Sequence, residues 1–249
     1  MSGLTWGLWG LLFQGLWVTV QLTVLSAALG AVFAFGAGIA RTHRLRLVRF
    51  LAGAYTEGFR GTSALVLMFW VFFVLPIAFG WQLVPMWAAV LSLSLTYGAY
   101  GSEVVRGALQ AVPAAQQEAG IALGFSPWQQ LTKILLPQAL PEMIPPANNL
   151  LIELLKGTAL ASVLGVSDIS FRALLVRHAL GYSISIYSVV LVMYFVLAFA
   201  FTRGMRALER HAKAGMGQAP PEKGPSVLRR LNVRQRAGSS RDLTSAGGA

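Results

Sequence analysis

Long apolar runs alternate with short polar segments along most of this chain. The first run covers residues 8–40, and the others cover residues 64–79, 86–105, 148–166 and 184–201. A helix of about 20 apolar residues is long enough to cross a bilayer, and tilt or flanking residues accommodate shorter and longer runs. The pattern therefore predicts an all-α polytopic membrane protein with about five transmembrane helices.

The composition agrees with a membrane protein and removes several kinds of chemistry. Hydrophobic residues make up 55% of the 249 residues, and charged residues only 12%. A soluble domain has roughly twice that charged fraction. The chain contains no cysteine, which excludes disulfides and thiol chemistry. Its three histidines, His43, His178 and His211, are far apart in sequence, so no metal site is predicted.

Basic residues indicate on which side of the membrane each segment lies. Residues 41–49 form a dense basic block after the first span, and such blocks stay in the cytoplasm. This places the N-terminus outside and the C-terminus inside. After a membrane domain of residues 1–214, residues 215–249 are rich in Gly, Pro, Ser and Arg. They are predicted to be a disordered basic cytoplasmic tail, attracted to membrane lipid rather than to nucleic acid.

A segment between the third and fourth predicted spans, residues 112–137, is too polar to cross the membrane. Pro113 suits the first turn of a helix, and Gly124 suits the left-handed residue that ends one. Ser126 can cap a second helix, with Pro127 at its first position. The segment therefore predicts a cytoplasmic helix–turn–helix elbow.

The end of this elbow is predicted from its prolines. A proline inside a helix removes a hydrogen bond and clashes with the carbonyl group of residue i−4. The second helix is therefore expected to end at Pro137. The proline-rich residues 138–146 are expected to form a broken re-entry into the membrane.

Six positions of the elbow follow a spaced pattern: Glu118, Ala119, Gly124, Ile134, Leu136 and Pro137. These positions resemble the EAA loop of permease subunits in binding-protein-dependent ABC importers, which docks on a separate ATPase subunit. Gly120 stands where that family has its second alanine. Because glycine weakens a helix interior by about 1 kcal/mol, a slightly looser elbow is expected.

Charged and amide side chains are found near the inner ends of the predicted spans: Arg60, Glu103, Arg106, Asn148, Asn149, Glu153 and Lys156. Glu103 and Arg106 can pair on one helix face, in a structural or a gating role. Glu153 and Lys156 can neutralise each other or line a translocation path. Arg60 can pair with a carboxylate or bind a lipid headgroup.

Three further segments match the same family. Residues 59–63, 100–107 and 154–160 are similar to its motifs Phe-Arg-Gly-Thr-Pro, Tyr-x-x-Glu-x-x-Arg-Gly and Leu-x-Lys-x-Thr-x-Leu, with Ser63 in place of the proline. The first and third of these segments look like those of the polar amino-acid branch. The strings YGAYGSEVVRGALQAVP, EMIPPANNLLIELLKGTAL and SDISFRALLVR most resemble permeases for ectoine and hydroxyectoine.

The resemblance implies an ABC importer type I transmembrane-domain fold in the bacterial cytoplasmic (inner) membrane. The partners it implies are an ABC ATPase dimer, a second permease subunit in a homo- or heterodimer, and an extracytoplasmic solute-binding protein. No cofactor is expected on this chain, since ATP–Mg would bind the ATPase. The expected substrate is ectoine or hydroxyectoine. General polar amino acids (histidine, glutamine, glutamate, arginine) or opines are the alternative.

An intramembrane enzyme and a channel subunit are the two alternatives from other classes of protein. An intramembrane enzyme would need a catalytic constellation, such as paired carboxylates at a span centre, and none is evident in the sequence. The order Lys156-Gly157-Thr158 is also not that of a phosphate-binding loop, which needs Gly-Lys-Thr or Gly-Lys-Ser. A channel subunit would be distinguished by conduction without ATP. A transport subunit, not an enzyme, is therefore predicted.

Overall fold

A computed structural model describes residues 2–214, with side chains from residue 9 onward. The described residues form helices and short connections, with no strand among them. The predicted tail, residues 215–249, lies outside the described residues. The chain consists of two compact units, Met1–Glu209 and Arg210–Ala249. The second unit is described only as far as residue 214.

Ten α-helices are described, with two π-helical turns and one 3₁₀ turn among them. The α-helices are α1 Ser2–Ala40, α2 Arg46–Arg60, α3 Ala64–Phe69, α4 Leu75–Phe79, α5 Pro85–Ala111, α6 Ala114–Ala122, α7 Pro127–Gln130, α8 Leu136–Gly157, α9 Ile169–Leu180 and α10 Ser183–Ala214. The π-helical turns Trp70–Val74 and Leu131–Leu135 join α3 to α4 and α7 to α8, and the 3₁₀ turn Thr158–Leu164 follows α8.

The core of the first unit is built on α1 and α5, which pack closely along their length. Small residues permit this approach. A Cβ atom placed on Gly98 would lie 2.7 Å from Phe33 Cβ, and one placed on Gly38 would lie 2.7 Å from Val105 Cβ. Small residues at such interfaces let helix backbones come together in membranes, where contact between helices is not driven by exclusion of water.

Two of the described helices are long and apolar enough to cross a membrane, Trp9–Ala40 and Ser183–Ala214. The number rises to four if each of two bent pairs is one span. One pair is Arg46–Arg60 with Ala64–Phe79, bent by 102°, and the other is Pro127–Leu164 with Ile169–Leu180, bent by 54°. The all-α membrane fold is therefore confirmed, whereas the count of five spans and their orientation stay predictions.

The predicted end of a helix at Pro137 is wrong. Helical structure continues without a break from Pro127 to Leu164, with Pro141, Pro145 and Pro146 inside α8. The π-helical turn just before Pro137 gives the physical reason. It bonds the N–H of Leu136 to the carbonyl O of Leu131, five residues back. This wider turn makes room for a proline ring that would otherwise meet the carbonyl of residue i−4. The predicted broken re-entry at residues 138–146 is likewise a continuous helix.

Candidate coupling site and the arginine cluster beside it

The turn of the elbow is fixed by backbone hydrogen bonds at the end of α6. The N–H of Gly124 donates to the Ile121 carbonyl at 2.9 Å, and the N–H of Phe125 donates to the Gly120 carbonyl at 3.0 Å. These two bonds form a Schellman motif, which requires a left-handed residue at its centre. Gly124 has φ +75°, so it ends the first elbow helix as predicted.

The second elbow helix begins with a complete capping box. The Ser126 hydroxyl accepts a hydrogen bond from the Gln129 N–H at 3.3 Å. In return, the Ser126 N–H donates to Gln129 Oε1 at 2.9 Å. Pro127 occupies the first turn, where its missing N–H leaves no bond unmade. The predicted cap at Ser126 is therefore present, and the Gln129 side chain completes it.

The inside of the elbow is tightly packed at Gly120. This residue is buried, and a Cβ atom placed on it would lie 2.7 Å from Ile134 Cδ1 and 3.3 Å from Gln130 Cγ. The Gln130 side chain is itself held, since its amide nitrogen donates to the Phe125 carbonyl at 3.0 Å. The structure therefore shows no gap at this glycine, because the missing methyl group lets the two helices meet closely. The looser elbow expected from helix propensity stays a prediction.

The outside of the elbow presents large apolar side chains. Ile121, Leu123 and Trp128 are 64%, 72% and 68% exposed. Glu118 and Ala119 are also exposed, Ile134 and Leu136 are half-buried, and Pro137 is exposed. Large apolar residues exposed together at the tip of a polar segment mark an interaction surface. The spaced motif therefore includes residues that shape the elbow, while Ile121, which the sequence reading did not single out, contributes to its apolar surface.

Beside the elbow, three arginines surround the carboxylate of Glu103. Arg106, one turn further along α5, bonds Glu103 Oε2 through Nε at 3.0 Å and Nη2 at 2.7 Å. Arg60 Nη1, at the end of α2, lies 3.5 Å from Oε1, and Arg41 Nη1, just after α1, also bonds Oε1. The predicted pairing of Glu103 with Arg106 is present. The cluster joins the C-terminal ends of α1 and α2 to α5 through one side chain.

Arg41 is the member of this cluster that the sequence reading did not single out. It belongs to the basic block of residues 41–49, which was interpreted as a marker of topology. Arg60 is additionally held by Tyr100, whose hydroxyl donates to the Arg60 carbonyl at 3.3 Å and whose ring lies 5.6 Å from the guanidinium carbon.

The predicted polar residues of α8 do not join this cluster. Glu153 and Lys156 are both exposed, and no ion pair links them among residues 2–214. Of the two alternatives, mutual neutralisation has no ion pair to support it, and the lining of a translocation path stays a prediction. The Glu153 backbone carbonyl accepts a hydrogen bond from the Tyr97 hydroxyl at 2.9 Å. Asn149 is exposed, while the amide oxygen of Asn148 is buried without a hydrogen bond among the described residues.

A buried carboxylate at the opposite end of the fold was not predicted as a site. Asp168 is fully buried and precedes α9. Its Oδ1 accepts a hydrogen bond from the Phe171 N–H at 2.9 Å, and its Oδ2 lies 3.4 Å from the Tyr194 hydroxyl of α10. Asp at an N-cap position followed by an apolar helix is the sequence signal that would have found it.

Comparison with known proteins agrees with this geometry. Residues 29–214 match the family described as binding-protein-dependent transport system inner membrane component. The chain is 45% identical over 205 residues to a probable amino-acid ABC transporter permease protein, y4tF, of Sinorhizobium fredii, covering 80% of this chain and 86% of the relative. It is 34% identical over 204 residues to the glutamine transport system permease protein GlnP of Escherichia coli K12, covering 82% and 93%.

Among solved structures, the chain is similar to a crystal structure of an amino acid ABC transporter with histidines. The TM-score is 0.75 at 27% sequence identity, and the match covers 84% of this chain and 97% of the other. The chain therefore belongs to the family of inner membrane components of binding-protein-dependent transport systems. It is a multi-pass membrane protein and a permease subunit rather than an enzyme, and its partners are an ATPase and other components of an ABC importer.

Proposed function

We propose that this chain forms the translocation path of an ATP-driven importer of polar amino acids or amino-acid derivatives. The relatives named above are permeases for amino acids, one of them for glutamine, and they supply the substrate class. The observation that supports the coupling role is the elbow itself. It combines a fixed turn with the exposed apolar surface of Ile121, Leu123 and Trp128, which suits docking in a groove of an ATPase subunit.

In this proposal, ATP–Mg binds to a pair of ATPase subunits and not to this chain. A second permease subunit, the same or a similar one, completes the path, and an extracytoplasmic solute-binding protein delivers the substrate. Closure of the ATPase pair moves the elbows, and the helical rod from Pro127 to Leu164 carries this motion into the membrane. The transition requires that nucleotide and the loaded binding protein prefer one conformation over the other.

The docking role is tested by removing the apolar tip of the elbow. In Trp128→Ala, a large exposed side chain is truncated at the proposed interface, and central aromatic contacts contribute strongly to protein binding. We expect the ATPase to bind the purified permease about 10- to 100-fold more weakly. Trp81→Ala is the matched control, since Trp81 is 69% exposed in the connection between α4 and α5. Equal ATPase affinity in the two variants would contradict docking at the elbow.

For the substrate, we propose ectoine or hydroxyectoine, on the strength of the three strings that resemble ectoine permeases. General polar amino acids, such as glutamine, histidine or arginine, and opines fit the amino-acid relatives equally well. Uptake of labelled ectoine by cells that express the permease with its partner subunits tests the choice. Uptake that resists an excess of histidine, glutamine or arginine would support ectoine. Uptake of a labelled amino acid, without uptake of ectoine, would show that the substrates are general polar amino acids and not ectoine.

A further inference from the structure

The helix α2 is fixed against the core by one of its faces. The Tyr55 hydroxyl donates to the Leu95 carbonyl at 2.9 Å, and Thr56 Oγ1 and Ser102 Oγ lie 3.0 Å apart. These bonds attach α2 to α5, near the level at which Arg41 meets Glu103. The helix makes an angle of 102° with the helical pair that follows it, Ala64–Phe79. Because α2 is nearly perpendicular to Ala64–Phe79, α2 runs along the membrane surface if that following segment crosses the membrane.

A second face of α2 is apolar but not covered by protein. Leu47, Phe50 and Leu51 are 69%, 70% and 59% exposed, and Ala54 continues the same face one turn later. At 100° per residue these four positions lie on one side of the helix, adjacent to Tyr55. Three large apolar side chains exposed on one face would be unfavourable in water, and this face requires an apolar environment.

A third face of α2 is basic. Arg46 and Arg49 are exposed in its first turn, and Arg44 is exposed just before it. Within the part of the chain that the structure describes, no ion pair joins these three arginines to an acid. The one acid of α2, Glu57, lies 3.6 Å from Arg60 at the other end of the helix. Cations in a first turn also oppose the helix dipole, so the N-terminal half of α2 has positive charge without compensation.

We propose that this surface, consisting of Arg44, Arg46 and Arg49 with Leu47, Phe50 and Leu51, binds anionic phospholipids at the membrane boundary. The apolar face enters the acyl region, as in other interfacial amphipathic helices. The guanidinium groups bond the phosphates, for which their planar donors are well suited. An anionic headgroup near the helix N-terminus also offsets the unfavourable charge there. These lipids lie in the cytoplasmic leaflet. That assignment rests on the proposed function, which puts the elbow on the cytoplasmic side.

The contribution of each arginine sets the size of the expected effect. Attraction of one arginine to an anionic membrane surface favours binding about fivefold. Removing two of the three should therefore lower the preference for an anionic over a zwitterionic lipid by roughly 10- to 25-fold. Because the arginines are exposed, the preference should also fall as the salt concentration rises.

A site-specific probe can measure this preference directly, because the chain contains no cysteine. Ala54→Cys places a single fluorophore on the exposed apolar face. The transporter, assembled with cysteine-free partner subunits, is placed in nanodiscs of phosphatidylcholine. Nitroxide-labelled phosphatidylglycerol or nitroxide-labelled phosphatidylcholine is then added in steps. With three arginines at about fivefold each, we expect phosphatidylglycerol to quench the probe at a mole fraction on the order of 100-fold lower.

Three variants separate charge from folding. Arg46→Gln with Arg49→Gln should remove most of the preference, whereas Arg46→Lys with Arg49→Lys should keep most of it. Arg177→Gln, which removes a charge from α9, should not change it. If the glutamine variant does not fold, the salt dependence of the unaltered arginines provides the same test.

Other outcomes would overturn the proposal. Equal quenching by the two lipids would show that the site does not select anionic headgroups, and so would a preference that persists in the glutamine variant or at high salt. No quenching by either lipid would show that a protein subunit covers the face. Quenching does not depend on transport. If the uptake assay contradicted the proposed function, the lipid preference could therefore still be measured.

Discussion

Gly120 and Ile134 meet across the elbow so closely that a methyl group on the glycine would lie 2.7 Å from Ile134 Cδ1. One residue belongs to the first elbow helix and the other to the π-helical turn after the second. Their contact determines how near the two helices lie. It explains how the elbow accommodates glycine where the family motif has alanine, since the closer approach replaces the packing of the missing methyl group.

Gly120→Ala is expected to be tolerated. The nearest atom is the free end of a flexible side chain, which can rotate away, and alanine favours a helix by about 1 kcal/mol. Thermal unfolding of the purified permease should show equal or slightly higher stability, with uptake retained. The matched control is Gly38→Ala, whose new Cβ would meet the Ser102 backbone oxygen at 3.0 Å and Val105 Cβ at 2.7 Å. Because backbone cannot rotate away, that variant should lose about 1–3 kcal/mol. A greater loss in Gly120→Ala would contradict this account of the elbow.

Gly124→Asp is expected to uncouple transport from ATP hydrolysis. The left-handed conformation at φ +75° costs a residue with a side chain roughly 1 kcal/mol, and a carboxylate would be added beside the exposed Leu123. Uptake should be lost while the permease still reaches the membrane. Gly107→Asp adds the same charge at a helical glycine on α5, with open space around it, and should leave more activity. ATP-driven uptake at the normal rate in Gly124→Asp would rule out this role for the turn.

Glu103→Gln should weaken the attachment of α1 and α2 to α5. The amide cannot neutralise three guanidinium groups, and hydrogen bonds to charged groups contribute about 1.5–3 kcal/mol. Since the Glu103 side chain is 24% exposed, solvent reduces this loss, and we expect about 1–2 kcal/mol in thermal or denaturant unfolding. Glu57→Gln is the control, because that carboxylate is 67% exposed and surface pairs contribute little. Equal stability of the two variants would show that the cluster does not hold α1, α2 and α5 together.

Asp168→Ala and Asp168→Asn separate capping from charge at α9. Alanine removes the acceptor for the Phe171 N–H, which should cost about 1–2 kcal/mol. Asparagine caps a helix about as well as aspartate and should lose much less. The free energy of unfolding, measured for both variants in the same detergent, decides between them. If asparagine were as damaging as alanine, the negative charge beside Tyr194, rather than the cap, would be the stabilising feature.

Local signals in the sequence predicted the elbow well. The turn at Gly124 and the cap at Ser126 depend on backbone conformation within a few residues, and such motifs are the same in most proteins. The wrong helix end at Pro137 also came from a local rule. A proline ring does clash with the carbonyl of residue i−4 in a regular α-helix. The π-helical turn Leu131–Leu135 relieves that clash, and it has no clear sequence signature.

Features that depend on residues distant in the chain could not be predicted. Arg41 and Glu103 are 62 positions apart, and nothing in the basic block shows which of its arginines turns toward a carboxylate. The helix α2 was not predicted either, because its arginines were interpreted only as a topology signal. Its apolar face becomes recognisable once Tyr55 and Thr56 show which side packs on α5.

The unbroken helix through the prolines has a mechanical consequence. At 1.5 Å per residue, the segment Pro127–Leu164 is a lever about 55 Å long. Pro137, Pro141 and Pro145 are four residues apart, so the carbonyl groups that they leave without donors lie along one side of it. Pro146 frees one more carbonyl group on the neighbouring side, so the hydrogen bonding is weakened on one half of the helix surface. A helix weakened on one side bends more readily toward or away from that side. In the proposed coupling, a movement of the elbow would therefore tilt this segment in a preferred direction, which the spacing of its prolines sets.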